Sequence, residues 1–241
     1  MLRQMLDSLI VGNEFLDGAV PVIPYGAAVE PESSSSQILV VSGDNGTGKT
    51  VLLSHFANFI AKEGKVSPNE TIAIVNIGMK MRTGADGSSG TMRSMMFGSE
   101  SHRSTGTISL RIIEGSFHNA AEWPVRSVVM LDEPEIGVSE TYYSAIAELI
   151  SLMANSLRSD KVPFVVIVTH SHDIARGLIE RGASGLHLPG EGDSLSPEDW
   201  LAGNFPQYSL EHLLNMPDRS RNVGSRITRA VNKRKEEQRK L

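Results

Sequence analysis

Gly43-Asp44-Asn45-Gly46-Thr47-Gly48-Lys49-Thr50 satisfies the pattern G-x-x-x-x-G-K-[ST], and the residues on either side of it decide the fold. Before it, Ile38 to Val41 is a short apolar run rich in β-branched residues, the signature of a buried strand. After it, Lys49 to Glu63 carries Val51, Leu52, Leu53, Phe56, Phe59 and Ile60 at helical spacing and stops at Gly64. Glycines allow a tight turn whose N–H groups aim inward, and the helix N-terminus adds partial positive charge. The backbone from Gly43 to Val51 is therefore a candidate nest for phosphate oxygens. Lys49 is placed to reach β and γ phosphates, and Thr50 to offer its hydroxyl to Mg²⁺, which takes oxygen ligands.

Working outward, Thr71 to Ile77, Ser127 to Leu131 and Pro163 to Thr169 read as further strands, with helical segments over Glu140 to Leu157 and His172 to Arg181. Strands alternating with helices predict a three-layer α/β/α fold with a mainly parallel central sheet. The strand at 127 ends in Asp132-Glu133, so both carboxylates fall at the strand's C-terminal edge, where open α/β sheets bind ligands. Asp132 suits the metal, and Glu133 suits polarising the water that attacks the γ phosphate. Residues 78–106 are crowded with Gly, Ser, Met and Arg and read as a mobile insertion. The expected division is an N-terminal segment 1–35 packing on or preceding the core, a core 36–215, and a basic C-terminal helix or tail 216–241.

With 40% hydrophobic residues in 241, the chain can build one sizeable core, and 21% charged residues exclude bulk disorder. The absence of cysteine excludes disulfides, Cys-ligated zinc, iron–sulfur clusters and thiol nucleophiles. No apolar run approaches the roughly 20 residues that span a bilayer. The N-terminus does not read as a secretory signal, so membrane insertion is not expected and the cytoplasm is. Charge is uneven. Arg219 to Leu241 holds nine Lys or Arg and two Glu, within a chain whose formal charge is -5. A tail of this kind is a candidate contact for nucleic acid, an acidic partner or the chain's own acidic body.

Asp132-Glu133-Pro134-Glu135-Ile136-Gly137 with its preceding strand resembles the DEPE-type Walker B segment of ABC-class P-loop NTPases. The likeness is to the SMC, RecF and OLD-like branch of ATPases more than to transporters. Ser104-Thr105-Gly106-Thr107, opening a helix with Ile108, Ile112, Ile113 and Phe117, is similar to that branch's signature segment, and Val166 to Ser171 resembles the strand that carries its switch histidine, here His170. The resemblance covers Gly43 to Ser171. It implies ATP and Mg²⁺ as ligands, Lys49, Glu133 and His170 in hydrolysis, and a homodimer that sandwiches two ATP molecules. Each copy would lend Ser104 and Gly106 to the other's γ phosphate. Tyr25 stands about where this class stacks an aromatic on adenine.

The chain departs from the pattern in three places. Glutamine occurs only at positions 4, 37, 207 and 238, so the Q-loop glutamine has no counterpart; Gly137-Val138-Ser139-Glu140 replaces the D-loop aspartate; and LSGGQ is absent. The interval from Lys49 to Asp132 leaves no room for coiled-coil arms, which makes this a minimal form. An ATPase switch acting on DNA or a partner effector in DNA maintenance or defence fits these features best. A transporter's ATP-binding subunit, an adaptor with negligible turnover, a small kinase and a RecA-like motor are the alternatives. Thr107 to Ile113 also alternates well enough to pass as a strand.

Overall fold

In the computed structural model the described residues are 21–28, 37–63, 71–78, 105–190 and 195–238. The residues 1–20, 79–104 and others outside these ranges include Ser104, most of the 78–106 insertion and most of the 1–35 segment. The elements in chain order are β1 (Ile23–Gly26), β2 (Ile38–Ser42), α1 (Lys49–Glu63), β3 (Ala73–Ile77), α2 (Thr105–Glu122), β4 (Ser127–Asp132), α3 (Tyr143–Ser156), β5 (Val165–Thr169), α4 (His172–Ile179), β6 (Ser184–His187), α5 (Pro197–Ala202), α6 (Leu210–Leu214) and α7 (Met216–Gln238). A single 3-10 turn, Glu140–Tyr142, leads into α3. Thr107 to Ile113 lies within α2 and is helical, not extended.

One six-stranded sheet runs in the order β1-β6-β2-β5-β4-β3. All its pairings are parallel except β1 with β6. The chain is thus an α/β protein with a mainly parallel central sheet covered on both faces. Alternation along the strands explains why two cores form. In β2, Leu39 and Val41 face one side with Val128, Met130, Val166 and Val168, under Leu52, Phe56 and Ile60 of α1. Ile38 and Val40 face the other with Val129, Leu131 and Ile167, under Ile112 and Phe117 of α2, Ile146 and Ile150 of α3, and Ile174 and Leu178 of α4.

Strand β5 lies between β2 and β4, and this placement matters most for the site. It sets the end of β5, Thr169 and His170, between the loop that follows β2 and the carboxylates that end β4.

The basic C-terminal segment is more than a charged tail. Over Met216–Gln238 it is a helix, and Val223, Ile227 and Val231 at i, i+4 and i+8 lie in the same core as α1. Burial of each contributes about 1.5–3 kcal/mol, which is what fixes a helix otherwise rich in Lys and Arg. Gly48 shows how closely α7 approaches. Its φ is +92°, and a Cβ there would come within 2.7 Å of both Ile227 Cδ1 and Val223 Cγ1. The phosphate-loop pattern and the C-terminal helix therefore form one packed unit.

Tyr25 packs inside the sheet, as a tyrosine in a Pro-rich segment commonly does. It is 3% exposed on β1, and its hydroxyl donates to Ser42 Oγ at 2.8 Å, with His187 Nδ1 3.1 Å from the same oxygen. Burial pushes the phenol pKa well above its ordinary value. A ring held this way inside the sheet edge cannot stack on a nucleotide base; it braces β1, β2 and β6 behind the loop.

Candidate functional site

The loop 43–48 turns out of β2 and into α1, with positive φ at Gly43, Gly46 and Gly48. Local bonds shape it. Thr47 Oγ1 donates to the Asp44 carbonyl at 3.0 Å, and the Asn45 N–H donates to Asp44 Oδ1 at 2.7 Å. Lys49 is 6% exposed and its ammonium donates to the carbonyls of Gly43 (2.8 Å) and Asp44 (2.7 Å). Burial lowers its pKa, while Glu133, Asp44, Asp132 and Glu135 all act to raise it. A buried cation facing four carboxylates belongs to a site built around charge.

At the end of β4 the backbone supplies the next clue. Glu133 has φ +54°, the one positive value for a non-glycine among the described residues. A left-handed glutamate costs free energy, and such strain persists where surrounding contacts enforce it. Here its N–H donates to the Val168 carbonyl of β5 at 2.8 Å, and Ile136 N–H returns to the Glu133 carbonyl at 3.2 Å. Asp132, one residue earlier, is 8% exposed and its Oδ1 lies 3.5 Å from Thr50 Oγ1. A hydroxyl and a carboxylate held face to face are the hard oxygen ligands that Mg²⁺ takes, so these residues fit that ion.

His170 completes the cluster. Its Nδ1 is 3.6 Å from Oε1 of both Glu133 and Glu135, beyond hydrogen-bond reach but close enough for ion pairing when protonated. The Glu133 carboxylate, with Glu135 adding to it against partial burial and Lys49, holds the imidazole pKa above its ordinary 6.5. The sign follows from linkage: the stabilisation is fully present below the unfolded value and is lost as pH rises through the raised folded value. His170→Gln is therefore expected to lower Tm more at pH 6 than at pH 9. Melting both proteins across that range checks this, and an equal loss at both ends contradicts it.

The structure brings together Lys49, Thr50, Asp132, Glu133 and His170. Ser104 lies outside the described residues. Gly106 opens α2 against the turn after Glu135, where a Cβ would meet the Gly137 carbonyl at 3.0 Å, and Ser109 Oγ donates to the Ile136 carbonyl at 2.5 Å. Within one chain, Gly106 therefore abuts the carboxylate turn.

Sequence reading passed over Glu135. It is 2% exposed, and its Oε1 accepts from the Thr169 hydroxyl at 2.7 Å and from the His170 N–H at 3.2 Å. The signal was the second glutamate of Asp-Glu-Pro-Glu, which one strand alone cannot distinguish from a solvated turn.

No family model matches the chain, and no curated protein matches it. Among solved structures it is similar to a chain of the E. coli MS115-1 HORMA:CdnC:Trip13 complex, at 12% identity over 95% of this chain and 85% of that one, with a TM-score of 0.38. It is also similar to the Aeropyrum pernix ORC2 protein in its ADPNP–ADP complexes, at 13% identity over 92% of this chain, with a TM-score of 0.37. This chain spans 50% of the length of that protein. Likenesses this loose carry neither family nor activity.

Proposed function

We propose that the chain is an ATP-binding and ATP-hydrolysing switch of the ABC class, in its SMC, RecF and OLD-like branch. One observation carries this reading: Lys49, the Thr50–Asp132 pair, the strained Glu133 and His170 meet at the C-terminal edge of a parallel sheet, around a glycine-rich turn.

The roles follow from the chemistry of phosphoryl transfer, which needs positioning and charge neutralisation more than covalent help. Backbone N–H groups of residues 43–51 would cradle the phosphates. The Lys49 ammonium, with two of its three donors on loop carbonyls, would turn toward the β and γ oxygens. Thr50 and Asp132 would hold Mg²⁺, which would supply positive charge to offset that of the phosphates. Glu133 would accept hydrogen bonds from the attacking water and take up its proton. His170, beside Glu133, would donate to the γ phosphate.

Ser104 and Gly106 act in this reading on the phosphates of a second copy, which makes ATP the link between two protomers. The switch would act on DNA or a protein effector, for which α7 keeps Arg221, Arg229 and Lys233 exposed on its polar side. Light scattering on a sizing column tests the assembly with Glu133→Gln, which slows hydrolysis. A dimer with ATP and Mg²⁺ but not with ADP and Mg²⁺ is expected. A monomer in both, with ATP bound, contradicts the sandwich.

A further inference from the structure

Glu135 is a buried carboxylate in a place that hydrolysis chemistry does not by itself explain. Burying a carboxylate is costly unless its oxygens are satisfied, and this one is 2% exposed with Oε2 lacking a hydrogen-bond partner. Its other oxygen is fully engaged. Oε1 accepts from the Thr169 hydroxyl and from the His170 N–H, and Thr169 Oγ1 in turn accepts from the Ser171 N–H at 2.9 Å. Glu135 itself is held by the turn that starts at Glu133, where Val138 N–H donates to the Glu135 carbonyl at 3.0 Å. The two segments that must stay in register, the turn after β4 and the end of β5, are thus fastened by one side chain.

We propose that Glu135 is a positioning residue, which through its bonds to Thr169 and the His170 backbone holds the His170 imidazole beside Glu133 for hydrolysis. This rests on the ATPase reading above. Sheet pairing alone ends too early to do this. β4 and β5 are paired through Asp132 and Val168, and the last backbone bond between the two segments runs from the Glu133 N–H to the Val168 carbonyl, so among the described residues the ladder fixes Glu133 but stops short of His170. A side-chain bridge past the ladder extends the hold to His170. Because bonds to a charged acceptor are stronger than neutral ones, a carboxylate suits this task better than an amide or hydroxyl. The oxygen that takes the bonds also lies 3.6 Å from Nδ1 of the ring it positions.

The test compares Glu135→Leu with Glu135→Gln, since the Gln carbonyl can still accept both bonds. Turnover is normalised to ATP bound per chain, so that a loss of folded protein does not count. Glu135→Leu is expected to lower kcat about tenfold or more with the ATP Kd unchanged, and Glu135→Gln to restore most of that loss. Positioning is read separately, without turnover, from hydrogen exchange of the His170 amide. It should quicken in Glu135→Leu and hold in Glu135→Gln, while the Val165 amide, which donates to the Gln37 carbonyl, reports global stability. Equal normalised kcat and equal His170 exchange in wild type and Glu135→Leu overturn the proposal and leave the ATPase reading standing. Faster His170 exchange in Glu135→Leu, in a wild type that shows no turnover, supports the brace and overturns the ATPase reading instead.

Discussion

Glu133→Gln is expected to bind ATP as tightly as the wild type and to hydrolyse it about 10²- to 10⁴-fold more slowly, the span that a positioned general base contributes. The amide keeps the shape of the side chain and can still accept a hydrogen bond, but it cannot take a proton from water. Its backbone conformation should persist, because the φ of +54° is enforced by the N–H bond to the Val168 carbonyl rather than by the side chain. Single-turnover hydrolysis with an excess of protein isolates the chemical step from product release. Lower affinity for ATP together with unchanged turnover would move Glu133 out of the reaction and into binding.

The second large effect is expected from Lys49→Met, which keeps an unbranched apolar stem and removes the ammonium. ATP affinity should fall about 10- to 100-fold, since hydrogen bonds to charged groups are worth about 1.5–3 kcal/mol each. The position is costly for a cation: burial lowers its pKa, while Glu133, Asp44, Asp132 and Glu135 act to raise it. Without a negatively charged ligand, those two tendencies partly cancel in folding. The loss should therefore appear in binding, measured calorimetrically with MgATP, far more than in Tm. A protein that melts much earlier yet binds ATP normally would make Lys49 a structural cation that ties Gly43 and Asp44 to α1.

What could be read from the sequence was local. The turn at 43–50 announced itself because glycine spacing, a β-branched run before it and a helical period after it agree within a few dozen residues. β4 and β5 were legible for the same reason, as apolar runs ending in polar residues. Long-range packing was hidden. Val223, Ile227 and Val231 recur at helical spacing, but they stand among so many Lys and Arg that the segment reads as solvated, and only their close approach to Gly48 and α1 shows where their stripe goes. Tyr25 has a plausible distance from Lys49 along the chain, yet chain distance says nothing about which side of the sheet edge a ring occupies. Asp132, Glu133 and Glu135 look alike as letters. Their separate environments, facing Thr50, facing His170 and buried against Thr169, arise only when β5 inserts between β2 and β4.

The central claim is that this cluster binds ATP and cleaves it. The most direct measurement is phosphate release by the purified wild-type chain under saturating MgATP, with bound nucleotide counted in the same sample. The account predicts one ATP bound per chain and repeated turnover. A folded chain that binds no ATP, or that binds one per chain and releases no phosphate, would contradict it.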